Sequence, residues 1–389
     1  MAPSARRAVL LLRGLAGRHG GCGAALGQRC VSAEAAQAPP PRPRAPRTSL
    51  TSPVEHTAEQ RGLWYTLQPG VVQRLFSQGG VPKQFLTQCQ TFAETCLMVR
   101  QPSLTLMDFI RRSDLSLPPN KFLLYGRNGC GKTLSLTGSS STSPGPRSGG
   151  GTSRRWLPSA TIEGQYDHPL DAVLWLQHFK TQNAELLKTL QLVTQERYIW
   201  SRREVTEPDT PLGELVELGI GRARYSTDCV LALTSELKRH ATEGRCKVAV
   251  VVDGINTFYS PVSRYRCEDR TLLDPKYFTL FQSFMQLFKS DWKNGIVVGS
   301  IDSLANEGWR RDSHLPRYLL RQQGWEALDP FIPIPIEDYD DLEMRSAIDY
   351  YLDRHWLQNP QAGSDIGRRE LAALSAHNPY LLMQVCRPL

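Results

Sequence analysis

An α/β fold, with helices on both faces of a parallel sheet, is predicted by three observations. Short apolar runs at residues 122–125, 247–252 and 295–300 alternate with longer helical patterns, the rhythm of strand–helix–strand units. The second of these runs is apolar on both faces, as a strand buried between two helical layers must be. The first leads straight into Gly126-Arg127-Asn128-Gly129-Cys130-Gly131-Lys132-Thr133, a glycine-rich turn where a strand hands over to a helix.

The chain has 389 residues, room for one large domain or two. Residues 1–33 contain no Asp or Glu, and Arg6, Arg7, Arg13 and Arg18 are interleaved with apolar residues. This is the composition of a mitochondrial transit peptide, with cleavage expected at about residues 25–35. The leader is therefore set aside as disordered. Residues 34–54 are Ala/Pro/Arg-rich and read as a disordered, extended arm. Residues 1–52 hold Arg6, Arg7, Arg13, Arg18, Arg29, Arg42, Arg44 and Arg47 against the single acid Glu34, so about +1 of the net +8 belongs to the rest. Any nucleic-acid contact must then use local patches and not a global field. No apolar run approaches the roughly 20 residues of a membrane span, and no membrane partner is expected.

The folded part divides into a core over 55–336 and a C-terminal helical lid over 337–389. Helical spacing marks 71–76, 85–99 and 104–112 ahead of the 122–125 strand. After Thr133 the helix has room for about two turns before Ser/Gly/Pro sequence takes over. Residues 137–164 form an atypical low-complexity segment without a β-branched run, so the strand expected next is missing. Helices are expected over 170–179, 184–193, 212–223, 227–241 and 277–288. Residues 331–336 alternate Ile with Pro and read as an edge strand, because proline cannot donate to the ladder. Helices over 341–356 and 367–376 make the lid.

The loop chemistry follows from its spacing. Gly126, Gly129 and Gly131 let the backbone take φ > 0 and turn N–H groups inward onto a phosphate. Asn128 and Cys130 complete the turn, Lys132 adds a cation for the β/γ oxygens, and Thr133 offers a hydroxyl to Mg²⁺ at the helix start. The expected ligand is a purine nucleotide, GTP or ATP, with Mg²⁺. The bland alternative is a glycine-rich turn that happens to end in Lys-Thr. Asp253 closes an apolar strand, the position of a Mg²⁺-side aspartate; its bland alternative is a turn cap beside Gly254. A hydrolysing site of this class places Glu next, where Gly254 stands. That favours binding without fast turnover, and no catalytic residue is assigned. Phe288-Lys289-Ser290-Asp291 is the nearest approach to a guanine-reading motif and does not match it, so motifs leave the base open.

Ser300 and Asp302 end the strand expected beside the 122–125 strand; either could reach the γ-phosphate, though a solvent-facing loop position is the first reading of both. Nine cysteines show no compact zinc spacing; Cys130, inside the loop, reads first as filling space, with oxidation that blocks the site as the alternative. Basic clusters occur at Arg202/Arg203, Arg222/Arg224, Lys238/Arg239 and Arg310/Arg311 with Arg317 and Arg321. Each reads first as a solvated face. With Trp200, Trp309 and Tyr318 nearby, several could position RNA phosphates without reading bases.

A resemblance adds to these readings. It rests on Thr91-Phe92-Ala93-Glu94-Thr95-Cys96-Leu97-Met98-Val99-Arg100, on Leu124-Tyr125-Gly126 through Lys132-Thr133-Leu134-Ser135-Leu136, and on Pro211-Leu212-Gly213-Glu214. Further on stand Val252-Asp253-Gly254-Ile255-Asn256, Ala327-Leu328-Asp329-Pro330-Phe331-Ile332-Pro333, and Tyr350-Tyr351-Leu352 with Trp356-Leu357. In these motifs, in this order, the chain resembles the death-associated protein 3 family, GTP-binding proteins of the mitochondrial small ribosomal subunit. The resemblance covers roughly residues 60–136 and 165–389, while 137–164 depart from it. It implies a P-loop NTPase core of the AAA+ type, built into the mitochondrial ribosome near the subunit interface. It further implies contacts with rRNA, with small-subunit proteins and with the large subunit, and a bound guanine nucleotide of mainly structural role. The family's phosphate loop falls on residues 126–133 and its Mg²⁺-side aspartate on Asp253. The alternative function is a nucleotide-switched signalling NTPase involved in apoptosis. It requires a water-activating residue and an arginine finger, neither of which the sequence locates.

Overall fold

The structure, a computed structural model, describes residues 9–14, 44–68, 70, 82–139, 156–159, 161–261, 273–305 and 312–387. The expected helix over 71–76, residues 15–43 and the Trp309/Arg310/Arg311 cluster lie outside the described residues. In chain order the first elements are β1 (Val9–Gly14), β2 (Trp64–Thr66), α1 (Lys83–Phe92), β3 (Cys96–Met98), α2 (Gln101–Arg112), β4 (Asn120–Tyr125) and α3 (Lys132–Ser139). Next come β5 (Leu157–Pro158), β6 (Tyr166–Asp167), α4 (Pro169–Leu190), β7 (Tyr198–Ile199), β8 (Val205–Thr206), α5 (Leu212–Gly221), α6 (Ser226–Thr242) and β9 (Lys247–Val252). The chain closes with α7 (Thr279–Met285), β10 (Gly295–Ser300), α8 (Pro316–Leu328), β11 (Ile332–Pro335), α9 (Asp341–Asp353), α10 (Asp365–Ser375) and α11 (Pro379–Cys386).

Strands β9, β10, β4 and β11 form a parallel sheet in that order, and β1 adds to the outer edge of β9. Two-residue periodicity sends alternate side chains to opposite faces. Leu123, Val248, Val250, Val252 and Val297 join the cluster built with α4, α5, α6 and α7. Phe122, Leu124, Val251, Val298 and Ile334 join Leu106 of α2 and Leu136 of α3 on the other face. The mixed α/β expectation holds, with the sheet buried between two helical layers. Among the described residues the proline-rich β11 sits on the sheet edge and pairs with β4.

Several local expectations are corrected. The helix read over 85–99 stops at Phe92, because Ala93 adopts a left-handed conformation (φ 54°). The rest of that stretch becomes β3, which pairs antiparallel with β2. The patterns at 170–179 and 184–193 are one helix, α4, started by Pro169 and ended at left-handed Gln191. Helix α3 is described over Lys132–Ser139, and among the described residues that follow, β5 and β6 form a two-residue antiparallel pair outside the main sheet. The slot beyond β9 is taken by β1, so six residues of a leader expected to be disordered form a strand.

The lid does not stand alone. Met344, Ala347, Ile348, Tyr350 and Leu352 of α9 share one apolar cluster with Trp64, Phe92 and Cys96. Trp64 stacks on Tyr350 at 3.9 Å, and its indole N–H donates to Ser346 Oγ at 3.0 Å. Helices α9, α10 and α11 each begin with a side-chain cap, from Asp340, Ser364 and Asn378 respectively. Among the described residues no helix is long and apolar enough to cross a membrane.

Candidate functional site

The candidate site lies at the carboxyl ends of β4, β9 and β10, where parallel sheets of this kind present their ligand crevices. Residues 126–131 connect β4 to α3. Gly126, Gly129 and Gly131 all carry a positive φ in this turn. Gly129 has φ +85°, and a Cβ on Gly126 would lie 2.1 Å from the carbonyl oxygen of Ile336. Cys130 is fully buried, and burial pushes its thiol up. Lys132 is buried and its ammonium donates to the carbonyls of Gly126 and Arg127, each at 2.8 Å. The lysine thus closes over its own loop.

The structure brings Thr133 and Asp253 together: the threonine hydroxyl donates to Oδ2 of Asp253 at 3.0 Å. Ser300 departs from its expected place. It is fully buried, and its hydroxyl donates to Oδ1 of Asp253 at 2.5 Å while accepting from the Gly254 N–H at 2.9 Å. The physical reason is register: β10 lies between β9 and β4, so its last residue ends in the middle of the crevice and not at a rim. Asp302 instead organises its own turn, with its carboxylate accepting from the Leu304 N–H at 3.0 Å and its backbone paired with Asn256.

The back of the loop is held by residues that sequence reasoning missed. Arg100 donates to the Cys130 carbonyl at 2.6 Å and to the Glu343 carboxylate at 2.9 and 3.0 Å. Burial works against the Arg100 charge, but the Glu343 carboxylate together with Tyr339 and Cys130 outweighs it, and the guanidinium is raised. Asn378 donates to the Asn128 carbonyl at 3.1 Å, and the Tyr380 N–H reaches the Gly129 carbonyl at 3.2 Å. Asn378-Pro379, a capping residue followed by proline, is a helix-start signal that could have been found. Its contact with the loop could not.

The basic clusters separate into two kinds. Lys238 pairs with Asp291, and Arg239 with Glu196 and Glu236, so that pair braces the fold. Arg202, Arg203, Arg222 and Arg224 are exposed, and Arg222 pairs with Glu204 at 3.1 Å, which brings the β7–β8 hairpin beside the end of α5. Arg317 lies over the Trp325 ring at 5.8 Å.

The sequence profile of a family described as mitochondrial ribosomal death-associated protein 3 matches residues 97–142 and 150–385. The chain belongs to this family. The family match carries Arg100, the loop and Thr133 in its first segment, and Asp253, Ser300, Glu343 and Asn378 in its second. The departure expected over 137–164 narrows accordingly to 143–149. Among curated relatives, the small ribosomal subunit protein mS29 of Mus musculus is 36% identical over 364 residues, covering 91% of this chain and 92% of its own. The protein of the same name from Bos taurus is 35% identical over 361 residues, covering 90% of each chain. A solved chain of the E. coli MS115-1 HORMA:CdnC:Trip13 complex aligns over 83% of this chain and 93% of its own, at 12% identity. Its TM-score of 0.23 is too low to carry an argument about fold.

Proposed function

We propose that the chain is a structural component of the mitochondrial small ribosomal subunit, holding a purine nucleotide on residues 126–133. Family membership and the mS29 relatives support the ribosomal part and a mitochondrial location. The nucleotide part rests on one observation: Thr133, Asp253 and Ser300 converge at the mouth of a glycine turn that already closes on Lys132. In this reading the core is a P-loop NTPase of the AAA+ type. The donor set fits the group it would hold. Backbone N–H groups of the turn and Lys132 suit phosphate, and Thr133 with Asp253 suits Mg²⁺, an oxygen-seeking cation. Mg²⁺, when bound, offsets the charge of the phosphate oxygens. Lys132, now on two loop carbonyls, would supply the cation for phosphate oxygen, and Asp253 would keep the Thr133 hydroxyl oriented through the pair they form. GTP is the favoured nucleotide, with ATP as the alternative.

Gly254 follows Asp253 where a water-activating acid would stand, so slow or absent turnover is part of the proposal. The same residue weighs against a nucleotide-switched signalling NTPase in apoptosis, which no observation here favours. Contacts with rRNA and neighbouring ribosomal proteins belong to the proposal too, with Arg202, Arg203 and Arg224 available at the surface for phosphates. The test is sedimentation of the tagged full chain from mitochondria in high salt. Co-migration with the small ribosomal subunit is expected; migration as a free protein would overturn the ribosomal assignment.

A further inference from the structure

Three consecutive peptide groups of the loop are held from outside. The carbonyl of Asn128 accepts from Nδ2 of Asn378, that of Gly129 from the Tyr380 N–H, and that of Cys130 from Nη1 of Arg100. In a planar trans peptide the C=O and the N–H point opposite ways. The same three planes carry the N–H groups of Gly129, Cys130 and Gly131. Fixing the carbonyls outward therefore turns these three N–H groups the other way, toward the inside of the turn.

The holding groups are themselves fixed. Arg100 is buried and gripped by Glu343 at the start of α9, and it also donates to the Glu337 carbonyl at 2.9 Å. Asn378 gives its other amide hydrogen to Asp338 Oδ1 at 2.8 Å, while its oxygen caps α11 through Tyr380 and Leu381. No space separates the lid from the turn, since a Cβ on Gly129 would lie 2.6 Å from Asn378 Oδ1.

We infer that Arg100 and Asn378 are positioning residues that preorganise the phosphate-binding N–H groups, so that the C-terminal helices set nucleotide affinity without touching nucleotide. The inference rests on the nucleotide reading above. A turn whose N–H groups already face inward avoids the ordering cost that a free glycine-rich loop meets on binding. By reciprocity, bound nucleotide tightens the seating of the C-terminal helices on the core.

The test uses the full chain and a fluorescent GTP analogue with Mg²⁺. Asn378→Ser keeps an oxygen to cap α11 but loses the N–H that reaches the Asn128 carbonyl. Arg100→Lys keeps a cation beside Glu343 but lacks the planar fork that serves several acceptors at once. Each variant is expected to weaken the analogue about tenfold, the worth of one or two hydrogen bonds. For Asn378→Ser the nucleotide-free melting temperature should stay within about 2 °C of the parent. Amide exchange should quicken at residues 129–131 and not along β9 or β10. A parent that binds and variants that bind equally well would overturn the inference alone. A parent that binds no analogue would overturn the nucleotide reading, and this inference with it.

Discussion

The hydroxyl of Thr133 donates to Oδ2 of Asp253 at 3.0 Å, although 120 residues separate them in sequence. That contact ties the first turn of α3 to the end of β9. With Ser300 on the other carboxylate oxygen, it makes one polar junction from the ends of three adjacent elements. The junction is assembled at the ends of β4, β9 and β10, strands buried on both faces, so its atoms have little freedom to drift.

Ser300 anchors this junction, so Ser300→Ala removes a buried hydrogen bond to Asp253 and the acceptor for the Gly254 N–H. The expected cost is about 1–3 kcal/mol of stability. Urea denaturation of parent and variant measures it. The variant should also need more Mg²⁺ to reach the same nucleotide occupancy. An unchanged midpoint and an unchanged Mg²⁺ requirement would show that the hydroxyl orients nothing.

Trp64 joins the N-terminal β2–β3 pair to the lid through its stack on Tyr350 and its bond to Ser346. Trp64→Ala should therefore cost about 3–5 kcal/mol. The loss should appear as early melting of the α9–α11 unit, followed by Tyr350 fluorescence or by amide exchange. Retention of parental exchange rates in α9 would contradict the shared cluster.

A pH dependence centres on Asp228. Burial, and after it the charge of Asp167, pushes this half-buried carboxyl up from 3.8 to about 6. The folded chain holds the proton more tightly than the unfolded chain, so the stabilisation is complete below about pH 4 and lost by about pH 6. Burial holds His168 down at about 4, which gives the opposite slope as pH falls from 6.5. The difference between parent and Asp228→Asn isolates the carboxyl. Asp228→Asn should gain on the parent between pH 4 and 6 and keep a lead on the order of 1 kcal/mol above it, allowing for solvent screening. A gap that stays constant across this range would refute the assignment.

The parts of the site that sequence revealed are those written in local signals. A glycine spacing behind an apolar run and an Asp closing another apolar run are both readable within ten residues. Ser300 was misread because a strand-end serine looks the same whether its strand is central or marginal; only the β9–β10–β4 order decides. Arg100 meets Glu343 and Asn378 meets Asn128 across 243 and 250 residues, distances at which composition says nothing about partners. The helix over 85–99 failed at a single left-handed residue, Ala93, that apolar spacing does not register. The arginines of residues 1–33 carry no hint that Val9–Gly14 would find a place beside β9.

Nucleotide content of the purified full chain, with Lys132→Ala beside it, tests the central claim most directly. Removing the ammonium leaves the two loop carbonyls without that donor, at a cost of about 1 kcal/mol, so the variant should still fold. Mass analysis should find GTP or ATP on the parent and none on Lys132→Ala, with both melting as folded proteins. A parent that carries no purine nucleotide, or a variant that retains it in equal amount, would contradict the account.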